Sequence, residues 1–207
     1  DCAVLTPSTE RTVVTTDTLV QNQDFMDPWL GGFDGTRSGG YEVGRKSATQ
    51  NLADVAAMGA RPVSLFASLS LPGETPYGWV EDFARGLVDG VRACGAEDCT
   101  IAGGDMGASG EISVTVTALG RTDRPVLRSG AQVGDTLALA GRTGWADAGL
   151  RLLLNPLSRP AMVLLKGIAN GGLSHEPLPE IPLSEGLLDL IGTLNSAEAA
   201  EMLEACE

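Results

Sequence analysis

Four aspartates, Asp1, Asp17, Asp54 and Asp105, fall at the ends of the elements that the sequence predicts, where a ligand can be reached. Thr15 and Thr16 add hydroxyl and carbonyl oxygens beside Asp17. An all-oxygen donor set with almost no imidazole suits magnesium, which takes carboxylates, waters and substrate phosphates. Gly103-Gly104-Asp105 supplies the complement: two glycines let backbone N–H groups approach a phosphate, and the adjacent aspartate holds a metal bridging it. Taken alone, Gly-Gly-Asp is also an ordinary turn. Four such sites in one acidic chain point to metal and phosphate together, without specifying a substrate.

The segment Asn51–Ala60 reads as a buried helix of small residues carrying one carboxylate, Asp54, near its first turn. Ala53, Ala56, Ala57 and Ala60 allow close approach, and Gly59 loosens the end before Arg61-Pro62 stops the helix. A charge in so apolar a helix is costly unless it is paired or holds a metal. The plainer alternative is a solvent-facing carboxylate stabilising the helix N-terminus. The other carboxylate motifs favour the ligand reading.

The 207 residues carry a net charge of −13, which argues against a nucleic-acid backbone as partner. A nucleotide remains compatible if divalent cations come between carboxylates and phosphates. Much of the acidity, including Glu198, Glu201, Glu204 and Glu207, is surface solubility. Aromatics make up only 4%, so Ala, Gly, Val and Leu must do the packing, as suits close helix–sheet contacts. Cys2, Cys94, Cys99 and Cys206 show no Cys-x-x-Cys spacing, and with a single histidine zinc is disfavoured. They read as reduced thiols of a cytoplasmic protein. No apolar run approaches a membrane span, and no signal peptide is recognisable. Asp1–Leu5 reads like the start of a strand, so a preceding segment is expected.

Periodicity predicts a strand over 12–20, a loop over 27–40, a helix over 41–59 that also bears Arg45 and Lys46, and a strand over 63–71. A helix over 79–94 follows, with Trp79, Phe83, Leu87 and Val91 on its apolar stripe. A short strand over 99–102 runs into Gly103-Gly104-Asp105, and Ile112–Gly120 alternates as a strand. This order predicts an α/β (α+β) fold, a mixed sheet with helices on one face. Residues 1–124 form the first domain and 125–207 a shortened C-terminal α/β domain. Within the latter, 135–141 reads as a strand, 144–150 leads into a helix, and 187–206 is an amphipathic helix.

The motifs around Asp1, Thr15–Val20, Gly44-Arg45-Lys46, Asn51–Ala60, Gly103-Gly104-Asp105 and Arg128–Asp135 resemble, in type and order, those of the thiamine-monophosphate kinases. These belong to the superfamily of aminoimidazole ribonucleotide synthetase. The resemblance covers residues 1 to about 154. It implies a homodimer pairing its N-terminal sheets, ATP near that interface, magnesium ions bridging aspartates and triphosphate, and γ-phosphoryl transfer to thiamine monophosphate. Asp1, Thr15, Thr16, Asp17, Asp54 and Asp105 match metal positions, with Asp17, Asp54 and Asp105 as the catalytic set. Gly103, Gly104, Arg128 and Ser184 match nucleotide positions. Asp24-Phe25 stands where the family has His-Phe, which places Asp24 at the substrate position and sets a carboxylate against an anionic acceptor. Pro182-Leu183-Ser184-Glu185-Gly186 replaces the family's Asp-x-Ser-Asp-Gly. The alternative is a divergent, catalytically weak relative that binds a nucleotide or another phospholigand. A purely structural domain ranks last, since every aspartate would then be a cap or turn residue.

Overall fold

The computed structural model describes residues 3–27, 39–139 and 141–154. Contacts divide the chain into two compact units, Asp1–Asp135 and Thr136–Glu207. In the first unit the elements run β1 (Arg11–Val20), α1 (Gly40–Ala57), β2 (Arg61–Leu71), α2 (Tyr77–Ala93), β3 (Thr100–Ala108) and β4 (Ser113–Thr122). The four strands form one mixed sheet in the order β1-β4-β2-β3. β4 is antiparallel to both neighbours, and β2 and β3 are parallel. The expected mixed sheet with helices on one face is therefore present.

Alternation along β4 decides which face is which. Val114, Val116 and Ala118 are buried under the helices, while Ser113, Thr115 and Thr117 lie on the opposite, open face. Residues paired across strands share a face. Val13, Thr15, Asp17 and Leu19 of β1 therefore join the helix side through Gly120, Ala118, Val116 and Val114. The open side carries a threonine ladder: Thr16 meets Thr117 at 3.0 Å, and Thr18 meets Thr115 at 2.8 Å.

The apolar stripe of α2 behaves as its spacing predicts, with Trp79, Phe83, Leu87 and Val91 all buried. The two helices touch through glycine. A Cβ on Gly40 or Gly44 of α1 would overlap the Trp79 or Phe83 carbonyl, and one on Gly86 would overlap the Tyr41 carbonyl. At Gly90 the obstacle is Ala48 Cβ. Spacing of four on both helices makes this one continuous strip of close backbone contact.

Several local expectations change. Asp54 lies in the last turn of α1, not near a first turn as the Asn51–Ala60 motif alone implies; the helix begins at Gly40, about three turns before Asn51 and close to the expected 41–59. Only part of that motif is buried: Asn51, Leu52, Val55 and Ala60 are, whereas Ala53, Asp54, Ala56 and Ala57 are exposed. Gly59 closes the helix rather than loosening it. With φ of 64° it takes the left-handed cap, its N–H bonding Ala56 O at 2.9 Å and that of Ala60 reaching Val55 O at 3.2 Å. The predicted turn at Gly103-Gly104-Asp105 is the middle of β3, which pairs with β2 as far as Ala108. Residues 3–8 are without regular structure. So are 135–139, where Leu137 and Leu139 stand exposed. A strand needs a partner for its backbone groups, and neither segment has one among the described residues.

In the second unit the described part is α3 (Trp145–Leu154), with the Arg142 guanidinium 4.7 Å from the centre of the Trp145 ring. Asp1, Ser184, the 182–189 motif and the 187–206 helix lie outside the described residues.

The helix contact yields a direct test. Placing a Cβ at Gly44 or Gly86 gains up to about 1 kcal/mol of helix propensity. It also forces backbone against backbone, and overpacking costs about 1–3 kcal/mol. Gly44→Ala and Gly86→Ala should therefore each lower unfolding stability in urea. Gly78→Ala, with open space at its Cβ, should be neutral or slightly stabilising.

Candidate functional site

The site begins with one hydrogen bond. Thr15 Oγ1 donates to Asp54 Oδ2 at 2.7 Å, tying the middle of β1 to the last turn of α1. Alternation in β1 aims Thr15 and Asp17 at the helix side, so Asp17 stands about 7 Å further along the same face. Asp17 is half-buried and has no hydrogen-bond or ion-pair partner among the described residues. Asp54 stands where a carboxylate is disfavoured. The C-terminal end of a helix is its negative pole, and the last turn of α1 contains no basic residue to offset it. This position excludes the helix N-terminus explanation. It fits a carboxylate kept for a ligand.

Beside this pair lies an open groove of about 680 Å³, lined among others by Arg11, Thr15, Asp54, Met58, Val126 and Arg128. The segment after β4 forms its far wall. Val126 N–H bonds Met58 O at 3.0 Å, and the Val126 side chain packs where a Cβ on Gly59 would come within 3.2 Å. Arg128 opens a short 3-10 turn, Arg128–Gly130. Two exposed guanidinium groups and one carboxylate around one groove suit a phosphate ligand accompanied by a cation. Sequence reasoning missed Arg11 and the groove wall at Val126. No motif marks either one; only the return of the chain to α1 brings them in.

The remaining predicted residues fall elsewhere. Thr16 is on the open face, its hydroxyl bonded to Val116 O at 3.2 Å and to Thr117, away from Thr15 and Asp17. Asp105 pairs with Ser68, which pairs with Thr115, which pairs with Thr18. That row is on the open face, and β4 and β2 lie between β3 and β1. Asp105 is therefore about 14 Å across the sheet from β1 and on the opposite side from Asp17. Gly104 has a packing reason, since a Cβ there would overlap Ala67 O, and Gly103 faces the Phe66 ring. Among the described residues no three His, Cys, Asp or Glu side chains form a metal-holding group.

Asp24 is engaged in the turn that follows β1. Its Oδ2 accepts the Val20 N–H at 2.8 Å, and its own N–H bonds Val20 O at 2.9 Å. Its carbonyl accepts from Lys46 Nζ at 2.7 Å. The carboxylate thus closes the turn, and the cation beside it is Lys46. Cys94 and Cys99 are free thiols, both pushed up by burial, Cys99 to about 11, with Arg45 drawing Cys94 partly back. Neither is a thiolate at neutral pH.

Residues 1–122 match the family of AIR synthase related proteins, N-terminal domain. A thiamine-monophosphate kinase of Mycobacterium tuberculosis is 40% identical over 158 residues, which is 75% of this chain and 44% of the relative. Among solved structures, thiamine-monophosphate kinase from Aquifex aeolicus matches with 31% identity and a TM-score of 0.62, over 72% of this chain and 47% of that one. A structure described as AaThiL complexed with AMPPCP and TMP matches with 29% identity and a TM-score of 0.63, over 74% and 48%. The chain spans less than half the length of these relatives.

Three variants test the local readings. Asp54→Asn removes a charge opposed to the helix dipole and keeps an acceptor for Thr15. In the absence of divalent cations it should leave unfolding stability unchanged or raise it by up to about 1 kcal/mol. Asp24→Ala should cost about 0.5–1.5 kcal/mol through the lost Val20 bond, while Asp24→Asn should be near neutral. Urea unfolding of both Asp24 variants measures the difference.

Proposed function

The chain belongs to the AIR synthase related family, and from that premise we propose that it is the nucleotide- and metal-binding part of a thiamine-monophosphate kinase. The reaction is ATP-dependent phosphorylation of thiamine monophosphate to thiamine diphosphate by magnesium-assisted direct transfer. The observation that carries this reading is Asp54, held by Thr15 at an electrostatically unfavourable helix end beside an arginine-flanked groove. The names of its relatives, and AMPPCP (an ATP analogue) bound with TMP in one of them, support the donor and acceptor.

The residues present fit a magnesium ion. Asp17 lacks a partner, Asp54 has only the Thr15 hydroxyl, and magnesium completes its shell with waters and phosphates rather than an all-protein cage. Asp17 and Asp54 would hold it, with Thr15 orienting the Asp54 carboxylate. The bound ion supplies charge neutralisation at the phosphates. Arg128 would bind a phosphate oxygen of the nucleotide from the groove wall. Phosphoryl transfer asks for positioning and charge stabilisation rather than covalent chemistry, and these groups offer both. Asp1 and Thr16 join the proposal through their motif positions, Thr16 only by its backbone. Ser184, Gly103 and Gly104 enter as nucleotide contacts on the same ground. Residues 1–124 are assigned to this role and 125–207 to a C-terminal domain.

Asp105 shares a site with Asp17 only if a second chain presents it, because the two stand on opposite faces of one sheet. The reading therefore includes a homodimer. The free thiols and the need for ATP suit the cytoplasm. Among the described residues no helix is long and apolar enough to cross a membrane. The alternative, a catalytically weak phospholigand binder, draws on Asp24, whose carboxylate serves the turn. At that position the neighbouring Lys46 would meet an anionic acceptor instead.

Calorimetric titration of ATP should give binding with magnesium and none in EDTA; equal affinity in both would remove the metal from the proposal. Asp17→Asn, Asp54→Asn and Asp105→Asn should each lower ADP release with thiamine monophosphate by about a hundredfold or more, the scale of single electrostatic contacts to a transition state. Mixing the Asp17→Asn and Asp105→Asn proteins should recover part of that turnover. Light scattering that gives a monomer at micromolar concentration would contradict the shared site.

A further inference from the structure

Asn51 carries a buried polar atom that the fold of the described residues leaves over. Asn51 is 1% exposed, and its Oδ1 has no hydrogen-bond partner among the described residues. Its Nδ2 donates to Ser47 O at 2.9 Å, which settles the amide orientation, since a flip would set two carbonyl oxygens against each other. Ser47 O is four residues back along α1, so it also accepts the helical N–H of Asn51. The side-chain bond is therefore not required to satisfy Ser47. An asparagine here buries an acceptor and satisfies nothing that a leucine would leave unsatisfied. Natural structures rarely tolerate this without a bound donor.

Two contacts establish where that acceptor stands. Lys46 Nζ reaches the Asp24 carbonyl beyond the C-terminal end of β1, and Asp54 meets Thr15 nearer its start. α1 thus runs antiparallel to β1. From Thr15 to Asp17 is two strand residues, roughly 7 Å, which corresponds to between four and five helix residues at roughly 1.5 Å each. Counted back from Asp54, this leads to Gln50 and Thr49; Asn51, three residues and roughly 4.5 Å back, stands level with the stretch between Thr15 and Asp17. Laterally, Val55 lies over Gly120 of β4 and Asp54 over β1. Asn51, one turn and roughly 6 Å before Val55, is then seated above β4 near Ala118, which pairs with Thr15, one pair short of Val116 and Asp17 on the same face. An unpartnered buried oxygen on α1 and the unpartnered half-buried carboxylate of Asp17 thus stand within about one strand residue of each other along the same face.

We propose that Asn51 is a positioning residue of the cation site: its Oδ1 accepts a hydrogen bond from water bound to the divalent ion held by Asp17 and Asp54. The inference rests on the metal reading above. Magnesium keeps several of its waters, and metal-bound water is a strong donor. The fixed amide of Asn51 orients that water from a dry side of the site. The outer shell of a metal commonly controls its affinity in this way.

Manganese, a spectroscopically visible stand-in for magnesium, tests the assignment on the full chain. Mn2+ dissociation constants are measured for the wild type, Asn51→Leu and Asn51→Asp, alongside urea unfolding without metal. Asn51→Leu should bind Mn2+ about tenfold or more weakly while unfolding no more easily than the wild type without metal. Asn51→Asp, which keeps an oxygen, should bind as tightly as the wild type or better. Unchanged Mn2+ affinity in Asn51→Leu overturns the role of Asn51 and leaves the cation site standing. If the leucine variant does not fold, weakened binding by Asn51→Asp overturns it instead. A wild type that binds no Mn2+ removes the cation reading and this inference together.

Discussion

The seat of α1 on the sheet is the constraint from which the rest of the site follows. Gly40 and Gly44 on one helix and Gly86 and Gly90 on the other let the two backbones touch. The strip of contact is long enough to define both the depth and the direction of α1. With α2 holding it from the side, α1 lies antiparallel to β1 and brings Asp54 to Thr15. A bulkier residue in the strip would lift or rotate the helix. At the far end of α1 even a small rotation would carry a carboxylate out of hydrogen-bond reach, because such bonds weaken steeply beyond about 3.2 Å. Packing between glycines thus controls charge placement one sheet layer away.

The charges placed in this way are disfavoured in the isolated chain. Asp54 opposes a helix dipole, Asp17 is half-buried without a partner, and the Asn51 oxygen is buried with none. A cation would relieve the two carboxylates at once. On the reading proposed above, these groups line a cleft arranged for a ligand. Sites of this kind are where local rules of sequence and structure are expected to fail.

The two faces of the sheet divide the remaining polar residues. The helix face takes the core and the carboxylates of β1. The open face takes hydroxyls, Thr16 with Thr117 and Thr18 with Thr115, and ends at Asp105 on the far edge. Among the described residues this sheet face carries no helix and β1 and β3 have no outer strand partner, a surface of a kind that proteins normally cover. Beside its hydroxyls this face also carries Val14, Leu119 and Phe66.

The order and type of the first six elements were legible in the residues. Period-2 alternation in Ile112–Gly120 and helical spacing of Trp79, Phe83, Leu87 and Val91 are local signals, and the structure preserves them. The motifs also named Thr15, Asp54 and Arg128, which the fold brings to one groove. Tertiary structure alone decided the neighbours. It inserted β4 between β1 and β2, and this carried Asp105 away from Asp17 and onto the other face. It set Asp54, in the last turn of α1, against Thr15 of β1. It gave the Asp24 carboxylate to the Val20 amide, and it left 135–139 without a strand partner. Periodicity reports what one segment does with its own side chains. Which strands become neighbours, and which carboxylates share a cleft, depend on pairings between residues a hundred positions apart, such as Thr16 with Thr117.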